Sequence, residues 1–333
     1  MTDQRLSTLF FPPPVHQTRP WRENLIAAVA PRHNLRIWDP NLAPAGQFQG
    51  IDAVIDFGGS NGTKEMADLA AGCVKLWQIV AVGYDKFDLD YWREKKIPVS
   101  NCPGQLSAAA LAECAMMLMM LLARHWTQAQ ISLTQRKLFV PVAEELEAQR
   151  LLVIGFGASG KELARRAHSF RMRVSAIDVR PILASEKAEY GLEFAGTPQD
   201  LDRLLGESDY VSLHVPLSPE TRQMINARTL RLMKPAARLI NVARGPLIEE
   251  QALETALREG WIAGAGLDVF ESEPVNPESP LLKLPNVIGL PHVAGTTYQV
   301  SRRRAAFAAE NLDLIAAGKE PLSRVDNNAA SRK

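Results

Sequence analysis

Ten residues, LLVIGFGASG at 151–160, constrain the fold of this chain more than any other stretch. Gly155, Gly157 and Gly160 form G-x-G-x-x-G, behind an apolar run and ahead of a helical one, KELARRAHSF. A strand turning directly into a helix beside a nucleotide needs these residues. The first glycine permits the tight turn, the second lets a pyrophosphate approach the backbone, and the third lets helix and strand pack closely. The helix N-terminus then presents free N–H groups and its dipole to the phosphates. The next apolar run, VSAI, ends in Asp178. That lies near the offset of about 20 residues at which an acid accepts ribose hydroxyls. An acid there repels a 2′-phosphate, so the pattern favours NAD over NADP. Arg180, close by, works against that preference.

The rest of the chain reads as two α/β series. In the first hundred residues, apolar runs at 35–38, 53–57, 77–82 and 98–100 alternate with amphipathic stretches at 22–30, 63–71 and 88–95. Such alternation predicts βαβ units and a parallel sheet. Continuous apolar strands suit a sheet covered on both faces. A helix over 107–124 follows, with Ser107 as its N-cap, and then a weakly patterned stretch, 127–149. The second series has strands at 150–154, 174–177, 210–214, 238–241, 264–269 and 287–289. Its helices are expected at 161–170, 198–205, 249–259 and 298–317. Two successive series in 333 residues predict an α/β protein of two doubly wound domains.

Composition excludes several classes. Lys+Arg is 38 against 37 Asp+Glu, a net charge of +1, so nucleic acid and anionic membranes are not expected partners. The run Arg302, Arg303, Arg304 reads as a solvated helix face. Cys73, Cys102 and Cys114 form no C-x-x-C, which suits neither a disulfide framework nor a zinc site. No metal is expected, and the thiols suit a reducing cytoplasm. The N-terminus carries Asp3 and breaks at Pro12, Pro13 and Pro14, so it makes a poor signal peptide. The apolar stretch 108–123, interrupted by Glu113, falls short of the roughly 20 residues that span a bilayer and reads as a core helix. Its methionines, Met116, Met117, Met119 and Met120, read as core filling.

Three later segments carry chemistry. NVARG (241–245) sets Arg244 at a strand end, GLDVFESEP (266–274) offers Asp268 and Glu273, and LPHVAG (290–295) sets His292 past another strand. In open α/β sheets ligands bind beyond the carboxyl ends of the strands.

At these residues the chain resembles the NAD-dependent D-isomer-specific 2-hydroxyacid dehydrogenases, including glyoxylate/hydroxypyruvate reductases and phosphoglycerate dehydrogenase-like enzymes. The resemblance runs over about 80–318, through AVGYDKFD, PVSNCPG, LAE, VIGFGASG, SLHVPLSPET, LINVARGPLIEEQAL, GLDVFESEP and PHVAG. It implies two Rossmann-like domains with parallel sheets and an active site in the cleft between them. The substrate domain, flavodoxin-like, would take 1–102 and 296–333, and the NAD-binding domain 103–295. A homodimer through the NAD-binding domain is implied too.

The resemblance also implies roles. Arg244 would hold the carboxylate and polarise the carbonyl of a small 2-keto acid, since its planar fork matches a carboxylate. His292 would be the general acid/base, and Glu273 would orient and charge it. Ala158 and Ser159 would join the three glycines at the pyrophosphate. Val215 and Pro216 would lie on the adenine side, and Val242, Ala243, Asp268 and Gly295 along the nicotinamide half. His214 reads as structural beside the cofactor. Backbone N–H groups of the loop Phe57, Gly58, Gly59, Ser60, with Gly83 opposite, would help hold the substrate carboxylate. That loop lacks the Arg-Ser pair common in the family, 139–150 lacks the usual Trp and Gly, and the helix near Glu113 is unusually rich in Met. Ala81 and Val82 stand where phosphite-oxidising relatives carry a lysine, and Glu273 stands where formate dehydrogenases use Gln. The same fold serves NAD(H)-sensing corepressors, so a peptide-binding sensor is the alternative reading.

Overall fold

The computed structural model describes residues 5–13, 20–59, 61–85 and 87–327. They form two compact units: the residues up to Leu106 together with those from Thr297 onward, and Ser107–Thr296.

The first unit runs β1 (Ser7–Phe11), α1 (Trp21–Val29), β2 (Asn34–Ile37), α2 (Pro44–Gln47), β3 (Ala53–Asp56), α3 (Lys64–Ala70), β4 (Leu76–Ile79), α4 (Leu89–Glu94) and β5 (Val99–Ser100). Its five strands are parallel in the order β2-β1-β3-β4-β5. That order places the switch point between β1 and β3. Thr63 caps α3 by accepting the Met66 N–H, and Asp88 caps α4 by accepting the Tyr91 N–H. β1 is absent from the expected strands. STLFF is too short to show a period, and it stops at Pro12, whose ring removes a donor. Yet it lies inside the sheet. Leu9 and Phe11 pack on one face with Val54 and Trp77, and Phe10 packs on the other with Leu25.

The second unit opens with α5 (Ala108–Ala123) and α6 (Trp126–Thr134). It continues with β6 (Arg150–Ile154), α7 (Ala158–Ser169), β7 (Arg173–Ile177), α8 (Ala184–Glu189), β8 (Leu192–Gly196), α9 (Leu201–Glu207), β9 (Tyr210–Leu213), α10 (Ala227–Leu232), β10 (Arg238–Asn241), α11 (Glu250–Arg258), β11 (Gly264–Leu267) and β12 (Val287–Gly289). Seven parallel strands lie in the order β12-β11-β10-β9-β6-β7-β8. The order reverses at β6, so the crevice beyond β6 and β9 is the topological ligand position. Alternate residues of β6 serve opposite cores. Leu151 and Val153 pack with Met116, Met119 and Leu163 of α5 and α7, whereas Leu152 and Ile154 pack with Leu204, Leu230 and Leu253 of α9, α10 and α11. The chain then returns to the first unit as α12 (Tyr298–Ala316), whose Ala305, Ala308 and Leu312 pack with Leu25 and Val29 of α1.

Several expectations need correction. The edge strand β8 and the short helices α2, α8 and α10 are additional, being too short for a periodic signal. α6 overlaps the start of the stretch read as weakly patterned, and the strand expected over 77–82 stops at Ile79. Ser107 precedes α5 without a side-chain cap bond. Met116 and Met119 are buried, but Met117 and Met120 are 38% and 39% exposed, because the helical period turns neighbouring positions to a second face. Arg302 is exposed, while Arg303 Nε donates to the Leu106 carbonyl and the Arg304 guanidinium lies 5.7 Å from the Trp21 ring centre. Long apolar stems let arginines cover hydrophobic surface in this way. No single described helix is long and apolar enough to cross a membrane.

Candidate active site

The fingerprint turn follows β6. Gly155 has φ +94°, and a Cβ there would sit 2.5 Å from the His214 carbonyl oxygen. A Cβ on Gly160 would sit 2.1 Å from the Gly155 carbonyl oxygen, so the turn and α7 tolerate no side chain at either position. Gly157, the N-cap of α7, differs: a Cβ there would meet no heavy atom within 4 Å. The open space at a helix N-terminus fits a pyrophosphate set against the backbone. Ala158 and Ser159 form the first turn of α7.

Asp178 follows β7. Its Oδ2 accepts the Phe156 N–H at 2.6 Å and its Oδ1 accepts the Arg180 N–H at 3.0 Å, which fixes the carboxylate beside the glycine turn. The Arg180 guanidinium is turned to Glu186, bonded at 2.8 and 2.9 Å.

His214 follows β9, with Nδ1 3.0 Å from Ser159 Oγ and Nε2 2.9 Å from Ser212 Oγ. Burial pushes its imidazole down to about 4, so the ring is neutral near pH 7. It braces the first turn of α7. Val215 packs on the apolar core beside it, and Pro216 is exposed.

Three strand ends build the reactive cluster. After β10, buried Asn241 donates from Nδ2 to the Arg244 carbonyl at 2.8 Å and accepts the Ala243 N–H at 3.0 Å. This closes a small loop through Val242 and Ala243 and sets the position of Arg244. Gly245 then passes under the next loop, where a Cβ would lie 1.8 Å from the Phe270 carbonyl oxygen. After β11, buried Asp268 accepts the N–H groups of Val293 at 2.7 Å and Ala294 at 2.9 Å. Burial raises its carboxyl above the usual range, against those two bonds. The same residue's carbonyl accepts the His292 N–H at 2.8 Å. After β12, His292 is held at φ +56°, a left-handed conformation costly for a side chain of this size. Asp268 is what holds it there, and Gly295 follows half-buried.

Glu273 meets His292 across this loop. Its Oε2 lies 2.7 Å from His292 Nδ1, and its Oε1 accepts the Phe270 N–H at 3.0 Å. Partial burial pushes the Glu273 carboxyl up. The His292 bond and charge, the Phe270 N–H and the Arg244 charge outweigh it and hold the group below the usual carboxylate range. Glu250, at the start of α11, accepts the Glu271 N–H and braces the same loop. A carboxylate on Nδ1 makes Nδ1 the donor and leaves Nε2 to exchange a proton. Arg244, Asp268, Glu273 and His292 thus form one connected cluster at neighbouring strand ends.

In the first unit, Gly58 and Gly59 follow β3 with φ +79° and +70°. A Cβ on Gly59 would lie 3.8 Å from the Gly83 carbonyl oxygen, so these glycines share one place, and Ser60 lies outside the described residues. Asp56 anchors the loop by accepting from Asn61 Nδ2 at 2.9 Å and Trp77 Nε1 at 3.2 Å. Its burial raises the carboxyl to about 6.

Sequence reasoning missed Asn241, Gly245, Asp56 and the loop-holding bonds of Asp268. Asn241 and Gly245 stood in the quoted NVARG motif, which was the available signal.

The sequence profile of the D-isomer specific 2-hydroxyacid dehydrogenase NAD binding domain matches residues 116–294. The glyoxylate reductase of Thermococcus litoralis is 35% identical over 330 residues, covering 95% of this chain and 97% of the relative. The chain belongs to this family. A glyoxylate reductase of Korarchaeum cryptofilum is 36% identical over 94% of this chain and 96% of the relative. The D-lactate dehydrogenase of Aquifex aeolicus, solved with NAD and lactic acid, superposes with a TM-score of 0.79 at 29% identity, covering 93% of this chain and 96% of that one. As a D-isomer specific 2-hydroxyacid dehydrogenase, the chain is an NAD-dependent enzyme that transfers hydride on 2-hydroxy acids. The glycine turn and its open helix N-terminus fit that cofactor.

Proposed function

We propose that this dehydrogenase reduces small 2-keto acids of the size of glyoxylate, with Arg244, His292 and Glu273 as its working residues. The relatives named glyoxylate reductase support the size class. The observation that carries the assignment is the 2.7 Å bond between His292 Nδ1 and Glu273 Oε2. Bound NADH supplies a hydride to the carbonyl carbon. His292 gives its Nε2 proton to the carbonyl oxygen, and takes it back in the reverse direction. Glu273 holds Nδ1 and stabilises the imidazolium that donates this proton and that forms again when the proton returns. Arg244 takes the substrate carboxylate in its planar fork and polarises the carbonyl.

The remaining assignments are proposals of the same kind. Gly155, Gly157, Ala158, Ser159 and Gly160 hold the pyrophosphate, and Asp178 holds the adenosine ribose. Val215 and Pro216 border the adenine; Val242, Ala243, Asp268 and Gly295 border the nicotinamide. On this reading 103–295 binds the cofactor and the domain of 1–102 and 296–333 contributes substrate contacts, among them the backbone of Gly58, Gly59 and Gly83. A homodimer through the cofactor-binding unit draws support from its uncovered apolar arm, where Leu138 is 77% and Phe139 94% exposed. A cytoplasmic setting draws support from the three free thiols. The peptide-binding alternative draws none from these relatives.

The test is the initial rate of NADH oxidation with glyoxylate, hydroxypyruvate, pyruvate, 3-phosphohydroxypyruvate, 2-ketoisocaproate and phenylpyruvate. The smallest acids are expected to be fastest. Silence across the panel while NADH still binds would overturn the reading.

A further inference from the structure

We propose that Glu186 sets the choice between the two nicotinamide dinucleotides, by neutralising the two cations that would otherwise receive a 2′-phosphate. The inference rests on the proposed placement of the adenosine ribose at Asp178.

Four donors converge on the Glu186 carboxylate. The Arg180 guanidinium donates to both oxygens, at 2.8 and 2.9 Å. Lys161 Nζ lies 2.5 Å from Oε1, and the Leu183 N–H donates to Oε2 at 3.0 Å. The Glu186 side chain is only 14% exposed, so these bonds are shielded from water on most sides. The cluster adjoins the carboxylate expected at the ribose. Arg180 donates its own backbone N–H to Asp178 Oδ1, and its guanidinium donates to the Phe156 carbonyl at 3.1 Å. Phe156 in turn donates its N–H to the other Asp178 oxygen.

The charges around this point are Asp178 and Glu186 against Arg180 and Lys161, which balance. A 2′-phosphate brings about two further negative charges and needs a guanidinium with its fork open. Here the fork is closed on Glu186, in the bidentate geometry a phosphate would use. Sequence reasoning placed Arg180 against NAD preference. Glu186, on a helix too short to be anticipated, cancels that effect. Without its charge, Arg180 and Lys161 leave a net positive site beside Asp178.

The experiment titrates 5′-ADP and 2′,5′-ADP into the wild-type protein and the Glu186→Gln, Glu186→Asp, Glu186→Gln/Arg180→Ala and Asp178→Ala variants, by calorimetry. Glu186→Gln is expected to tighten 2′,5′-ADP by about tenfold, the scale of one charge-assisted bond, and to move 5′-ADP by less than about twofold. Glu186→Asp and the double variant are expected to return the ratio to the wild-type value. The proposal is overturned if Glu186→Gln leaves the ratio unchanged, or if it weakens both ligands together, as loss of a purely structural brace would. If Asp178→Ala leaves 5′-ADP binding untouched, the ribose placement itself fails, and the proposal falls with it.

Discussion

The two sheets of this protein obey one design rule and carry different chemistry. Both are all-parallel, with alternate strand residues serving two cores. Beyond the strands of the seven-stranded sheet stand Asp178, Arg244, Asp268, Glu273 and His292, tied to each other or to backbone groups, Arg244 through the Ala243 carbonyl. Beyond β3 of the five-stranded sheet stand two left-handed glycines and a buried aspartate. One edge offers reactive side chains held by a rigid frame. The other offers backbone, shaped by a carboxyl underneath. The fold supplies the position, and the residues at the strand ends decide what can be done there.

The sharpest way to break this comparison is His292→Ala. Its reductase rate is expected to fall by roughly 100- to 10,000-fold, the scale of general acid–base catalysis, with NADH binding retained. Near-normal turnover would mean that the reactive edge has been misread.

The pH dependence of stability sets the edges against each other. Asp56 has its carboxyl raised to about 6, so the folded state holds a proton that the unfolded chain releases. Its contribution is full below about pH 4 and lost as pH rises through 6. His214 is pushed down to about 4, so the unfolded chain takes up a proton first. Its contribution is full above about pH 6.5 and lost as pH falls toward 4. Each shift corresponds to about 3 kcal/mol. Measured by urea unfolding, Asp56→Asn should gain on the wild type by about that amount from pH 4 to 7. His214→Gln should gain on it from pH 7 to 4. A parallel trend in both variants would show that the burial of one of the two groups does not govern its titration.

A smaller effect tests the frame alone. Gly245→Ala forces a Cβ against the Phe270 carbonyl, and the loops carrying Arg244 and Glu273 must separate. A displacement near 1 Å is expected to cost roughly 100-fold in rate, with a lowered Tm. Unchanged rate and Tm would show that the reactive edge does not need its close packing.

Local chemistry was legible in the chain. The glycine turn, the acid after the next strand and the three motifs at later strand ends each depend on a few adjacent residues. Strand β6 appeared within its bounds because its apolar run is continuous and flanked by turn residues. Strand β1 did not appear, because five residues before a proline show no period, although the sheet is built around them. Glu186 was unreadable for a different reason: what it does depends on partners that only the folded chain brings near.

The sequence by itself determined the class of fold and the turn that fits a dinucleotide, which follow from sterics and spacing within single βα units, while the roles expected of Arg244, Glu273 and His292 came from the family resemblance. Only the tertiary structure decided that Glu273 reaches His292, that Asp268 holds His292 in a left-handed conformation and that Glu186 closes on Arg180. Each of these unites loops from different strands or short elements. Their distances are set by the strand order and by packing beneath the sheet, which no local run of residues encodes.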